Sequence, residues 1–173
     1  MPFNLLKKYP ELLDLASYSV QNRTDCLRKI YKRDIECYDL FFRSSRIYPT
    51  KSENDESTFD THFTHLTTKE FDEISENGEK VRKRSFDMLR SQRLHWVKTH
   101  IEETTGESDI LVFSNDYPAV RTYIWNKKEN YVVILEPQMK PGNYYLLTAF
   151  YINEKKTMNQ LQSKFKNRLS DIR

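Results

Sequence analysis

Apolar residues recur every three or four positions through much of the chain before residue 104, which is the spacing of one face of an α-helix. Pro10 stands at the start of one such segment, where proline is favoured in the first helical turn. The segments are separated by polar stretches at Thr50 to Ser57 and Ser75 to Lys80, which predict loops. Helices are therefore predicted at about Pro10 to Ala16, Thr24 to Asp39, Thr58 to Leu66 and Lys80 to Glu103.

The pattern changes after Gly106 to short runs that are rich in β-branched and aromatic residues. The separators contain Asn, Asp, Pro and Gly, which favour turns, and they are too short to hold crossover helices. Neighbouring strands should therefore pair antiparallel, and the all-apolar third run predicts a central strand covered on both faces. The predicted strands are Ile110 to Ser114, Arg121 to Trp125, Tyr131 to Leu135 and Tyr144 to Ile152.

These elements predict an α+β fold. N-terminal helices precede a small antiparallel sheet of about four strands that packs against helices, and a basic helix from about Glu154 to Leu169 closes the chain. We divide the sequence into a helical N-terminal extension, residues 1–50, and an α+β domain, residues 51–173. At this length the two parts are expected to form one compact unit.

Composition narrows the classes of function. The chain has only three glycines, which excludes glycine-rich phosphate loops of the Walker and Rossmann types. Cys26 and Cys37 are eleven positions apart on one predicted helix, so their Cα atoms should lie about 16 Å apart, beyond disulfide reach. Two reduced thiols, no leader-like N-terminus and no long apolar run predict a cytoplasmic protein without a membrane segment.

The charge distribution leaves two interpretations open. The net charge is only +3, but basic residues concentrate between Arg23 and Arg33 and again between Lys155 and Arg173. Acidic residues concentrate between Glu53 and Asp60 and between Asp72 and Glu79. The two basic segments indicate either a phosphate-binding surface or ordinary solvated helix faces.

Polar residues interrupt the apolar face of the predicted helix Lys80 to Glu103. At 100° per residue, Arg90, Arg93 and His100 fall within the arc that also contains Trp96 and Val97. Burying an arginine is costly unless it is paired. Arg93 is therefore expected to reach solvent, to pair with an acid such as Glu136 or Asp87, or to line a polar cleft.

Thr148 interrupts the last predicted strand. Regular alternation places it on the same face as Leu146 and Phe150, and places Tyr151 on the opposite face. The threonine is present either only because threonine favours β-strands or because its hydroxyl has a function beside aromatic rings. His62 and His65 are three positions apart on a predicted helix but lack a clear third ligand, so no metal site is predicted.

Two segments resemble the phage and mobile-element branch of the barnase–EndoU–colicin–RelE-like nucleases, here called the BECR family. One is Arg90-Ser-Gln-Arg93-Leu94-His-Trp96-Val97, and the other is the late strand Tyr144-Tyr-Leu-Leu-Thr148-Ala149-Phe150-Tyr151. The resemblance covers roughly Phe59 to Lys166. It implies the compact BECR fold and a metal-independent endoribonuclease of toxin or phage-defence type, which cleaves RNA by attack of the 2′-hydroxyl and needs no cofactor.

The resemblance also implies roles for individual residues. Arg93 would clamp the phosphate, Arg121 would supply a second cation, and Thr148 and Tyr151 would touch phosphate or ribose. His100, or else His62 or His65, would move protons. We expect Arg93, Arg121 and Thr148 to converge on one cleft. Further RNA contacts are expected from Arg90, Tyr123, Tyr144 and Lys164.

A second hypothesis is a catalytically inert RNA-binding or protein-interaction module of a mobile genetic element. It would use exposed aromatic residues such as Tyr123, Trp125 and Tyr144 together with the basic helices. The candidate partners under the two hypotheses are RNA, an antitoxin or immunity protein, and a second copy of the chain.

Overall fold

The structure is a computed structural model that describes residues 2–50, 58–139 and 142–173. Its helices are α1 (Pro2–Leu6), α2 (Val20–Tyr31), α3 (Thr58–Thr67), α4 (Met88–Ser91), α5 (Trp96–Ile101) and α6 (Lys155–Lys166), and a π-helical turn, Lys32–Glu36, extends α2. Its strands are β1 (Phe41–Phe42), β2 (Ser45–Pro49), β3 (Thr68–Ile74), β4 (Lys80–Phe86), β5 (Ile110–Asn115), β6 (Arg121–Asn126), β7 (Tyr131–Pro137) and β8 (Asn143–Tyr151).

The α+β class is confirmed, but the main sheet is larger than predicted. Strands β5 to β8 follow one another antiparallel, as expected. Two strands from the first fifty residues extend this sheet beyond β8, giving the order β1-β2-β8-β7-β6-β5. The sheet therefore has six strands. It is mixed, because β2 pairs with β8 in parallel while the other neighbours are antiparallel. The N-terminal fifty residues, predicted to be a helical extension, thus also contribute two strands.

The sheet separates two apolar clusters. On one face, side chains such as Val133 and Leu135 pack with Ile30 and Tyr31 of α2. On the other face, Trp125 and Val132 pack with Leu161 of α6. Successive residues from Tyr131 to Leu135 therefore enter opposite clusters, which is why these five positions are all apolar. The predicted central place of this strand is confirmed.

A second sheet is the hairpin of β3 and β4, and β4 replaces the first part of the predicted helix Lys80 to Glu103. The two strands pair antiparallel from Thr68 opposite Phe86 to Ile74 opposite Lys80. Most of their side chains are exposed, and charged residues on β3 meet charged residues on β4. These cross-strand ion pairs favour a strand over a helix for this segment. Asp87 then caps α4, and the turns of residues 92–95 separate α4 from α5.

The segment predicted to be a helix at Pro10 to Ala16 is an irregular strap instead. The Leu13 amide donates to the Gln92 carbonyl at 3.0 Å. The Glu11 carbonyl accepts from Trp96 Nε1 at 3.1 Å and lies 3.0 Å from His95 Nε2. Backbone groups of this strap thus form hydrogen bonds with residues 92–96, and in a helix the same groups would bond within the segment.

Other predictions agree with the structure more closely. Helix α3 matches the segment Thr58 to Leu66, and α6 lies within Glu154 to Leu169. Cys26 is buried, Cys37 is exposed, and both are free thiols as predicted. Among the described residues, no helix has the length and apolar character needed to cross a lipid bilayer.

Three histidines, His62, His95 and His100, lie in the protein interior. Burial lowers the pKa of His62 from 6.5 to about 3 and the pKa values of His95 and His100 to about 4. The Nε2 atom of His95 must donate to the Glu11 carbonyl, so the neutral ring carries its proton there. All three rings are therefore uncharged in the folded protein at neutral pH.

We predict that acid weakens the fold through these histidines. Their pKa values are depressed in the folded state, so their stabilising contribution is complete above pH 6.5 and is lost as the pH falls below it. Each should remove about 2 kcal/mol of unfolding free energy by about pH 5. Urea unfolding at about pH 7.5 and pH 5 measures the loss, since most carboxylates stay ionised in this range.

His95→Gln is the matched variant, because its amide can still donate to the Glu11 carbonyl but cannot titrate. The loss of unfolding free energy between the two pH values should shrink by about 2 kcal/mol in this variant. An unchanged loss would show that His95 is not one of the groups that make the fold acid-sensitive.

Candidate functional site

A polar cleft of 410 Å³ lies where the base of the β3–β4 hairpin meets α3, α4 and the main sheet. We call it the arginine cleft. Three arginines and one carboxylate line it, and two further carboxylates, Asp87 and Glu136, lie beside the arginines without lining the cleft. The lining residues are Thr50, His65, Glu70, Arg84, Arg90, Arg121, Leu147 and Thr148.

Arg90 is the most firmly held of these arginines. Its Nη1 donates to the His65 carbonyl at 2.7 Å and to Thr148 Oγ1 at 3.2 Å. Its Nε lies 3.8 Å from Asp87 Oδ2, and its side chain is only 14% exposed. Burial lowers the pKa of the Arg90 guanidinium, and the nearby charge of Asp87 opposes the shift. Arginine remains charged in proteins, so a fixed positive charge lies at the cleft wall.

A β-bulge in β8 supplies the opposite wall. Thr148 is opposite Ile134 while Leu146 is opposite Leu135, so the intervening Leu147 has no partner on β7. Leu147 and Thr148 both line the cleft, although neighbouring residues of a regular strand face opposite ways. The bulge corrects the predicted alternation, because Ala149 rather than Thr148 joins Leu146 in the main apolar cluster.

The side chains of the other two arginines, Arg84 and Arg121, are more exposed than that of Arg90. Arg84 of β4 donates to Glu70 at 2.7 Å and to Thr68 Oγ1 at 3.2 Å. Arg121, at the start of β6, lies 3.6 Å from Glu136, and both side chains of that pair are more than one-third exposed. Exposed ion pairs contribute little to stability, so Arg121 can turn toward an anion at small cost, whereas Arg84 is already directed into the cleft region by its two hydrogen bonds.

Two histidines on α3 occupy different environments. His62 is fully buried, and its Nδ1 lies 3.0 Å from the Tyr31 hydroxyl. His65, three residues later, is half-buried and lines the arginine cleft. Within residues 2–50, 58–139 and 142–173, no three His, Cys, Asp or Glu side chains are grouped so that they could hold a metal ion.

Arg93, Arg121 and Thr148 were expected to converge on one cleft. Arg121 and Thr148 both line the arginine cleft, but Arg93 does not. The Arg93 guanidinium carbon lies 4.0 Å from the centre of the Tyr151 ring, and Nη1 donates to the Leu89 carbonyl at 2.7 Å. The residue is only 8% exposed and forms no ion pair with any described residue. Of the two motif arginines, Arg90 enters the cleft and Arg93 packs against aromatic rings.

His100, the first choice for a proton shuttle, lies in the interior outside the arginine cleft. Its Nδ1 is 2.8 Å from the Trp96 carbonyl and must donate there, so Nε2 accepts from the Asn126 amide at 3.2 Å. Its ring stacks on Trp96 at 6.2 Å between ring centres. These contacts satisfy both ring nitrogens within the core.

The aromatic residues predicted to contact RNA are buried. Tyr123, Trp125 and Tyr144 are each less than one-tenth exposed, which corrects the expectation of an exposed aromatic surface. Tyr123 stacks on Phe113 at 5.0 Å between ring centres. Lys164 lies outside the arginine cleft, where its Nζ donates to the Tyr117 carbonyl at 2.6 Å.

Sequence reasoning did not identify Arg84, Glu70 or Thr50 as site residues, and it ranked His65 low. Arg84 and Glu70 are direct partners across the β3–β4 hairpin. Lys80, Arg82 and Arg84 recur at every second position, which is the spacing of one strand face, although Lys83 interrupts the alternation. The signal was present, but it was assigned to a helix.

No protein-family model, no curated protein and no solved structure matches this chain.

We predict that Arg93 supports stability. Arg93→Ala removes the contact with Tyr151 and leaves the Leu89 carbonyl without its side-chain donor. The free energy of unfolding should fall by about 2 kcal/mol in urea titrations. Arg121→Ala, which removes the same charge from a half-exposed cleft position, should cost less than about 1 kcal/mol. Equal losses in the two variants would contradict a packing role for Arg93.

Proposed function

We propose that the chain is a metal-independent endoribonuclease that cleaves RNA in the arginine cleft. The observation that carries the proposal is the meeting of three arginines from three separate elements with His65 and Thr148. Arginine forms strong, directional hydrogen bonds with phosphate, and an RNA backbone carries one such anion per nucleotide. A cleft of this composition fits a phosphodiester better than a neutral ligand.

The cleft contains groups for each part of the proposed reaction. His65 takes the proton of a ribose 2′-hydroxyl, and that oxygen forms a bond to the adjacent phosphorus. The bond from phosphorus to the 5′-oxygen breaks, and the leaving oxygen receives a proton from the histidine or from water. The products are a 2′,3′-cyclic phosphate end and a 5′-hydroxyl end. No other reactant is consumed.

Arg90 is the group best suited to stabilise the pentacoordinate phosphate. Its hydrogen bonds to His65 and Thr148 fix its position before substrate binds, and preorganised charge is an effective form of transition-state stabilisation. Arg84 and Arg121 are more exposed and can close on the phosphate from the hairpin and from the sheet. Each arginine thus approaches from a different direction.

The resemblance to the BECR nucleases supports the same proposal with one change. The first arginine of the motif, Arg90, takes the clamp role that the resemblance assigned to Arg93. The biological part of the proposal is a cytoplasmic toxin or phage-defence enzyme with an antitoxin or immunity protein as partner.

A catalytically inert RNA-binding module is the second candidate function. Each cleft arginine has a carboxylate within 4 Å, at Glu70, Asp87 and Glu136. This partial charge balance favours reversible phosphate binding and weakens the field that acts on a transition state. The two candidates share the arginine cleft and RNA, and they differ in whether the RNA is cut.

We predict that the purified chain cuts single-stranded RNA in EDTA and leaves 2′,3′-cyclic phosphate ends. His65→Asn removes the proton acceptor and should lower kcat/KM about 100-fold or more. Arg121→Gln should lower it about 100-fold by removing one charge from the cleft. Labelled RNA on denaturing gels measures the rates, and end-group analysis identifies the products.

Arg82→Gln is the matched control, because Arg82 lies on the same strand as Arg84 but outside the cleft. It should cleave RNA at the wild-type rate. Intact RNA that nevertheless binds with a steep salt dependence would favour the inert module. Absence of both cleavage and salt-dependent binding would reject both functions.

A further inference from the structure

A second cavity of 180 Å³ adjoins the arginine cleft, and Arg90 lines both. We call it the aromatic cavity. Strands β3 and β8 contribute to both cavities. Lys69 of β3 lines the aromatic cavity and Glu70 lines the arginine cleft, while residues 150–151 of β8 line the former and residues 147–148 the latter. The lining residues are Lys69, Asp87, Arg90, Phe150, Tyr151, Ile152, Asn153, Glu154 and Thr157.

Phe150 and Tyr151 give this cavity apolar surface, and an arginine guanidinium lies close to each of the two rings. The Arg90 guanidinium carbon is 5.3 Å from the centre of the Phe150 ring, and that of Arg93 is 4.0 Å from the centre of the Tyr151 ring. Both rings are half-buried. Flat, sequence-tolerant stacking on aromatic and guanidinium groups is the usual way in which proteins hold an unstacked nucleobase.

Asp87 supplies the cavity with a carboxylate that is only partly used. Oδ1 accepts the Arg90 amide at 3.0 Å, and Oδ2 lies 3.8 Å from Arg90 Nε. The side chain is 21% exposed, so acceptor positions remain accessible from the cavity. An ionised carboxylate only accepts hydrogen bonds, and it therefore selects ligands that donate them.

The outer side of the cavity is bounded by an ion pair. Lys69 on β3 pairs with Glu154, which precedes α6, and both residues line the cavity. The pair connects the hairpin to the start of the closing helix. The cavity volume of 180 Å³ is close to that of one flat ring system with its substituents.

We propose that the aromatic cavity binds the nucleobase next to the phosphate in the arginine cleft and that Asp87 selects a base with an exocyclic amino group. The inference rests on the proposed function insofar as RNA is the ligand. Adenine, cytosine and guanine donate from such a group, whereas uracil donates only from its ring N3–H, which lies between two carbonyl oxygens that a carboxylate repels. The site therefore discriminates against uracil.

Asp87→Asn tests this selection with the fold kept intact. Asparagine caps helices as well as aspartate does, so α4 should be preserved, and thermal unfolding confirms this. The amide can donate as well as accept, so the preference for an amino group should disappear. Asp72→Asn is the control, because it removes the same charge from the hairpin outside both cavities.

The probes are short, uncleavable 2′-O-methyl oligonucleotides of adenine, cytosine or uracil, with affinities measured by fluorescence anisotropy. Wild type and Asp72→Asn should bind the adenine and cytosine probes about tenfold more tightly than the uracil probe. Asp87→Asn should bind all three equally, with a uniform gain in affinity from its lost negative charge.

The outcomes separate this inference from the proposed function. Equal binding of the three probes by wild type, or an unchanged preference in Asp87→Asn, overturns base selection by Asp87, while RNA cleavage would still support the nuclease. A preference lost only in Asp87→Asn supports the aromatic cavity even where wild type leaves RNA intact. Failure of every probe to bind overturns this inference, and it overturns the proposed function as well where RNA is also left intact.

Discussion

The buried guanidinium of Arg90 is the constraint on which the rest of the site depends. A charged group in the interior is costly unless its hydrogen-bonding groups are paired. Here Nη1 pairs with the His65 carbonyl at the end of α3 and with the Thr148 hydroxyl in β8, while Nε has no hydrogen bond and lies 3.8 Å from Asp87 at the start of α4. These contacts hold three distant segments together. The charge that they stabilise also forms the wall between the two cavities.

The bulge in β8 reconciles this arrangement with a packed core. One additional residue, Leu147, lets Tyr144 and Leu146 before it and Ala149 after it all reach the main apolar cluster. If the strand kept Leu147 but lacked the bulge, regular alternation would place Thr148 in the core and turn Ala149 away from it. The same irregularity brings Thr148 to Arg90. Core packing and site geometry are therefore set by one local departure from strand regularity.

Local patterns in the sequence were sufficient for β5 to β8, because each strand pairs with its neighbour through a short turn. They could not reveal β2, whose parallel partner β8 is about a hundred residues away. Arg121 and Thr148 were identified as site residues, but Arg93 was preferred to Arg90. A single continuous helix places both arginines on one face, whereas the turns between α4 and α5 change their relative direction. Helical periodicity contains no information about such a break.

The hairpin of β3 and β4 shows why the arginine cleft belongs to the tertiary structure and not to any one element. An isolated two-stranded hairpin is marginally stable, and this one exposes most of its side chains. It is held at its base, where the Arg23 guanidinium lies 3.7 Å from the centre of the Phe86 ring and Lys69 pairs with Glu154. Under the proposed function, an anion that contacts both Arg84 and Arg121 would add a further link between hairpin and sheet. Bound substrate therefore stabilises the position of the hairpin against the sheet, because it favours the arrangement in which both arginines reach it.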